Sequence, residues 1–211
     1  TGVSANLTLL DQAVAKGAQL VVVHHGLLWG QTARLTGLFG SRVRAFYAEG
    51  VSLAGYHLPL DAHPTLGNNA GLADLLGLGD RVGFGVYRGQ SIGIGGTLAE
   101  ARPFGVLAEL LRDRLGGISH AFGDRHHSVC RVAVSSGASG DMIEQAASEG
   151  YDLFVTGEAE EWSQAQASEL GITMIAGGHH RTERFGARSL AKYLSTELGY
   201  DTEFIDVDNP V

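Results

Sequence analysis

The sequence predicts an α/β protein made of two similar α/β halves, a pseudo-repeat, with layered helices around mixed sheets and a metal site between the halves. Three observations carry that prediction. Short apolar runs, punctuated by 31 glycines and only 4 prolines, alternate with amphipathic stretches of helical length. Two stretches of the chain echo one another through helix, glycine, buried strand and polar tip. Three apolar runs deliver imidazoles: Leu20-Val21-Val22-Val23 runs into His24-His25, Val51-Ser52-Leu53 leads to His57, and Ile172-Thr173-Met174-Ile175 leads to His179-His180. An open α/β sheet keeps its chemistry at such strand ends.

In chain order, a helix near 6–16 precedes a strand at 20–24, and a helix near 41–49 precedes a strand at 51–55. A helix near 69–77 follows, then strands at 82–87 and 91–98, a helix at 103–115, and strands at 118–122 and 129–135. The last third alternates a helix at 139–149, a strand at 152–156, a helix at 161–170, a strand at 172–176, a helix at 182–198 and a strand at 202–207.

The internal echo aligns Ala13–Val23 with Ala146–Thr156, and this register sets His25 against Glu158. Further on, Gly50–Gly55 leads to His57 as Gly171–Ala176 leads to His179. Upstream, Val3-Ser4-Ala5 parallels Val134-Ser135-Ser136. Glycine-bounded αβ units also come to look alike by chance. Read as a repeat, the chain divides into a first lobe over 1–90, to which the C-terminal segment 184–211 can return, and a second over 91–183 that includes an inserted hairpin and helix. The material from about 63 to 127 is then an insertion between the two copies.

Composition excludes several classes. With 211 residues, 44% of them hydrophobic, the chain can bury a substantial core. A net charge of −8 leaves no broad basic face, so an extended nucleic acid is not an expected partner. No apolar stretch has the length of a membrane span. The single cysteine, Cys130, lies in an apolar run and suits a reducing cytoplasm, the expected location. The chain begins at Thr1 rather than Met.

The candidate site is a set of nitrogen and oxygen donors. Residues four apart on a helix share a face, so His179 and Glu183 can approach one ion if a helix starts just after Gly177-Gly178. Adjacent His24 and His25 point to opposite faces of a strand, and they share a site only where the strand has ended, a bend that Gly26 permits. Asp61 adds a carboxylate able to bridge two cations. Three imidazoles and two carboxylates exceed what one catalytic zinc takes, and suit two divalent ions of zinc, iron, manganese or nickel. Each motif alone has a plainer reading, since a lone strand-end histidine is more often a hydrogen-bonded loop residue. His126-His127 read as a solvated turn, and His63 and His120 have no carboxylate at useful spacing. The loop Ser135–Gly140 could offer backbone N–H groups to an anion but lacks the lysine of a phosphate-binding loop.

The segments VVVHHGLLWG at 21–30, YHLPLDAHPTLGNNAGLADLLGL at 56–78, VTGE at 155–158 and AGGHHRTERFG at 176–186 resemble the dinuclear-metal-centre proteins, also called the GTP cyclohydrolase I type 2 or Nif-three-like family. The resemblance covers nearly the whole chain. It implies His24, His25, Asp61, His179 and Glu183 as metal ligands, the two carboxylates bridging, with His57 and Glu158 lining the site as candidate proton shuttles. It also implies a further N-terminal segment, a ring-shaped homohexamer, and a small-molecule substrate, a purine nucleotide such as GTP opened by hydrolysis. Phosphoester hydrolysis, or a non-catalytic metal-binding, assembly or regulatory role, would use the same ions. One departure stands out: Ala165 occupies a position where the family commonly has histidine.

Overall fold

The computed structural model describes residues 1–30 and 34–211. By contacts these form two compact units, one of Thr1–Leu60 with Gly186–Asp208, the other of Asp61–Phe185 with Asn209–Val211. The chain therefore divides after Leu60, where the sequence predicts a boundary near 90, and it returns to the first unit at Gly186.

The first unit opens with β1 (Gly2–Ser4), α1 (Leu7–Ala15) and β2 (Leu20–His25). The Asn6 side chain accepts from Leu9 N at 2.8 Å, supplying a partner for one of the donors that a helix start leaves unsatisfied. Leu9, Leu10 and Ala13 give α1 its buried face. After α2 (Gly37–Ala48) comes β3 (Ser52–Gly55), then the short α3 (Leu58–Ala62). The three strands form one parallel sheet in the order β1-β2-β3. The central strand is the uninterrupted Val21-Val22-Val23, as expected where both faces are covered. Its core adds Phe46, Val51 and Ile205 to the α1 residues.

Alternation over 202–207 predicts a strand, and none forms. The segment makes only local backbone bonds to residue 1, with Thr1 N donating to Glu203 O at 2.6 Å and Ile205 N to Thr1 O at 2.9 Å. Ile205 enters the core, which accounts for the alternation without a ladder.

The second unit contains α4 (Asn68–Leu76), the hairpin β4 (Gly79–Tyr87) and β5 (Gln90–Pro103), α5 (Phe104–Leu115), β6 (His120–Phe122) and β7 (Ser128–Ser135). A 3-10 turn at Gly140–Met142 leads into α6 (Ile143–Ser148), followed by β8 (Leu153–Thr156), α7 (Ser163–Leu170), β9 (Thr173–Ala176) and α8 (His179–Thr182), after which α9 (Arg184–Thr196) belongs from Gly186 onward to the first unit. The helix expected at 182–198 forms as α9, and a separate turn, α8, precedes it, with Glu183 between the two. The mixed six-stranded sheet runs β4-β5-β7-β8-β9-β6, with β7, β8 and β9 parallel and both edges antiparallel.

The period of two sorts these strands between two cores. Val132, Val134, Leu153, Val155 and Ile175 join Leu107, Leu111 and Leu115 of α5. Ala133, Phe154 and Met174, their neighbours in sequence, join Ile143 and Ala167 on the other face. Losing a fully buried side chain such as Phe154 costs about 3–5 kcal/mol in structures of this kind. Each unit thus carries the same order of parallel strands, β1-β2-β3 and β7-β8-β9, with helices on the connections, as the internal echo predicts. The inserted elements widen only the second sheet, at both of its edges. Among the described residues no helix is long and apolar enough to cross a membrane.

Candidate functional site

In the first unit the imidazoles gather where the parallel strands end. The β2–β3 ladder stops at Val23 opposite Gly55, and β1 pairs to the last strand residue, His25. His24 and His25 both still lie within β2, where the sequence expects a shared site only past the end of the strand, and their rings are nevertheless 4.6 Å apart. His57 reaches both, its ring 4.8 Å from His24 and 5.4 Å from His25. A Cβ on Gly55 would sit 3.1 Å from Gly26 Cα, so two glycines allow the exits of β2 and β3 to run side by side. Trp29 stands edge-on to His57 at 4.8 Å.

The outer nitrogens are held by protein groups. His24 is fully buried, and its Nδ1–H donates to Tyr56 O at 3.1 Å, which orients the ring. Ser4 Oγ and His25 Nδ1 are 3.0 Å apart. One ligand atom from each of His24, His25 and His57 lies within 4.8 Å of the others, so the trio could hold a metal ion.

The second unit supplies carboxylates. Asp61, at the C-terminal end of α3, is buried, and its Oδ1 accepts from Asn68 Nδ2 at 2.8 Å and from Ser136 Oγ at 3.1 Å. Asn69 ties the arrangement down: its Oδ1 accepts from Ser136 N at 2.8 Å, while its Nδ2 donates to Ile92 O at 2.7 Å. His179 opens α8 just after β9, with Nδ1 2.5 Å from Glu158 Oε1 and Nε2 3.2 Å from Glu183 Oε2. Hydrogen bonding to Glu183 raises the His179 pKa to about 9, against the effect of burial and with help from the charges of Glu183 and Glu158.

Gly137, at φ +66°, closes this second set. Its carbonyl accepts from Gly157 N at 2.9 Å, Glu158 N at 3.1 Å and Thr156 Oγ1 at 3.2 Å, and its N–H donates to Thr182 Oγ1 at 3.1 Å. A Cβ there would strike Glu183 Oε1. In the Ser135–Gly140 loop, considered above as an anion site, the N–H groups of Ser136 and Gly137 are thus engaged with Asn69 and Thr182, and the Ser136 hydroxyl with Asp61.

Every site residue read from the sequence therefore falls into one of two sets, His24, His25 and His57 in the first unit, and Asp61, Glu158, His179 and Glu183 in the second. Neutral imidazole nitrogen and buried carboxylate oxygen suit borderline divalent metals. Three of the other histidines make local contacts. His63 Nδ1 accepts from Leu66 N at 3.0 Å, His120 stacks on Phe122, and His126 N donates to Asp124 in a turn. Ala165 is exposed on α7. Sequence reasoning missed Asn68, Asn69 and Thr182, and read Ser136 and Gly137 only as part of a loop for an anion. The one available signal was the Asn-Asn pair opening an apolar helix.

The sequence profile of Duf34/NIF3 (NGG1p interacting factor 3) matches residues 1–210. A curated Escherichia coli K12 protein named GTP cyclohydrolase 1 type 2 homolog is 41% identical, over all of this chain and 84% of its own length. A Neisseria meningitidis serogroup B protein of the same name is 39% identical over the same shares. Among solved structures, protein ybgI, described as of unknown function, superposes with a TM-score of 0.90 at 40% identity, over 100% of this chain and 84% of that one. A Thermus thermophilus protein superposes at 0.84 and 30% identity, over 100% and 82%. With residues 1–210 matched by the family profile, and its fold and its whole length shared with relatives about 40% identical, the chain belongs to the Duf34/NIF3 family.

Proposed function

We propose that the protein is a dinuclear metal-dependent hydrolase in which His24, His25, Asp61, His179 and Glu183 together hold two divalent cations drawn from zinc, iron, manganese and nickel. The observation that carries this reading is the outer support of the donors. His24 and His25 each have Nδ1 engaged by a protein oxygen, and Asp61 has Oδ1 fixed by Asn68 and Ser136. Metal ligands are commonly oriented by such partners.

Divalent cations held by these residues would supply a water of lowered pKa and polarise the bond under attack. The chain's own residues do the rest. Glu158, against His179 Nδ1, is the candidate proton carrier, and His57, touching His24 and His25, is a candidate for the same work. The buried Asn68–Asp61–Ser136 network keeps one ligand in place throughout.

The name borne by the relatives suggests the substrate, a purine nucleotide such as GTP whose five-membered ring is opened by water with loss of formate. Phosphoester hydrolysis draws on the same donors. A homo-oligomer, a hexameric ring in the proposal, working in the cytoplasm completes the reading. The test compares metal-loaded protein with His25→Ala, measuring formate release from GTP and phosphate release from generic phosphodiesters. Turnover that needs both metal and His25 supports the hydrolase. Tight metal binding with no product from any substrate replaces it with a non-catalytic metal-binding or regulatory protein.

A further inference from the structure

Beside His24 and His57 in the first unit lies an open cavity of about 580 Å³ to which the chemistry above assigns no occupant. Its walls include Leu27, Trp29, Phe39, Phe46 and Leu53, and His24 and His57 form part of its lining. Among the described lining residues there is no Lys, Arg, Asp or Glu. We propose that this cavity is the subsite for a planar, uncharged heteroaromatic ring of the substrate, with the Trp29 indole as its stacking surface and the reacting edge of the ring turned toward His24 and His57.

The volume falls in the range of small-molecule pockets, and aromatic walls favour a flat guest. Trp29 is 54% exposed although large and apolar, and its edge-on contact with His57 fixes the plane it offers. A phosphate would find no cationic side chain here, so the ring end of a nucleotide enters and its anionic end stays outside. Because candidate metal ligands line the cavity, a guest of this size is delivered to the reacting centre.

This assignment rests on the hydrolase reading for its meaning, but ring binding is measured without turnover. The chain has 2 tryptophans, so Trp162→Phe leaves Trp29 as the sole indole reporter in the full-length protein as purified. Titration with guanosine is expected to quench its fluorescence saturably, while ribose 5-phosphate leaves it unchanged. Phe39→Ala should weaken guanosine roughly tenfold, on the scale of one lost stacking contact. Thermal melts confirm that Phe39→Ala remains folded, and Trp29→Ala, followed by equilibrium dialysis of guanosine, repeats the test at the exposed rim.

The subsite is overturned if guanosine does not quench, if ribose 5-phosphate quenches equally, or if both variants bind guanosine like the parent. It is also overturned if either variant changes the oligomeric mass, which would assign the cavity rim to a second copy of the chain. Guanosine binding without hydrolysis of any substrate sinks the hydrolase and leaves the subsite standing. GTP turnover with an unchanged KM in Trp29→Ala does the reverse.

Discussion

Asn68 donates its side-chain amide to Asp61 Oδ1 across 2.8 Å, and both groups are buried. A hydrogen bond to a charged partner contributes about 1.5–3 kcal/mol, and here it also fixes which way the carboxylate points. Asn68→Ala should lower metal affinity by about 10- to 100-fold, the usual range for losing an outer partner of a ligand. Ser136→Ala, which removes the longer bond at 3.1 Å, should have the smaller effect. Competition against a chelator at fixed pH measures both. Unchanged affinity in both variants would show that Asp61 is not a ligand or needs no orientation.

The protonation state of His179 makes metal uptake pH-dependent. Its pKa is raised from 6.5 to about 9, chiefly by the Glu183 hydrogen bond, so at pH 7 the metal-free protein holds this ring as imidazolium. A cation must displace that proton. Apparent affinity should therefore climb about tenfold per pH unit toward pH 9 and level off above it. The sign for stability is opposite. A raised pKa stabilises the metal-free fold below the unfolded value of 6.5, and that contribution fades as pH rises through 9. Titration calorimetry in buffers of different ionisation enthalpy should find about one proton released at pH 7, and Glu158→Gln should move the plateau to lower pH.

Much of this was legible because it is local. The run Val21-Val22-Val23 before His24-His25, and Ile172–Ile175 before His179, mark buried parallel strands and what they deliver. The HxxxE spacing likewise anticipates His179 facing Glu183. The polar network around Asp61 was not legible, since Asn68 and Asn69 at a helix start look like surface caps, and only the loop holding Ser136, 67 residues beyond Asn69, makes them interior. The unit boundary was hidden for a related reason. It falls within α3, between Leu60 and Asp61, where no change of composition marks a linker. β5 also runs on to Pro103, past the expected end at 98, because a register shift between Thr97 and Arg102 absorbs the irregular stretch.

Gly137 should tolerate no side chain. At φ +66° an L-residue costs about 1–2 kcal/mol in backbone energy alone, and the new Cβ meets the Glu183 carboxylate and lies 3.3 Å from His179 Nε2. Gly137→Ala is expected to lower the melting temperature by several degrees and to abolish cation binding that depends on Glu183. Melts followed by circular dichroism, with elemental analysis of the purified variant, read the two effects separately. A variant with parental melting and full metal content would contradict the packing of this loop.

Gly55 gives a parallel test in the first unit, with a different cause. Its φ lies outside the left-handed region, so alanine brings no backbone strain, only the approach of Cβ to Gly26 Cα at 3.1 Å and to Gly26 N at 3.4 Å. Both neighbours are backbone and cannot rotate away, so the exits of β2 and β3 must part by a few tenths of an ångström. Overpacking of this kind costs about 1–3 kcal/mol. The larger consequence is directional: His24 and His25 leave on β2 while His57 follows β3, so parting the exits separates the rings now 4.8 Å and 5.4 Å apart. Gly55→Ala should thus weaken a cation held by this trio out of proportion to its loss of stability. A second substitution, Leu10→Ala, lowers stability from the same core at a residue that does not line the cavity beside the strand exits. If the two variants lose metal equally at equal loss of stability, the close approach of Gly26 and Gly55 serves folding alone.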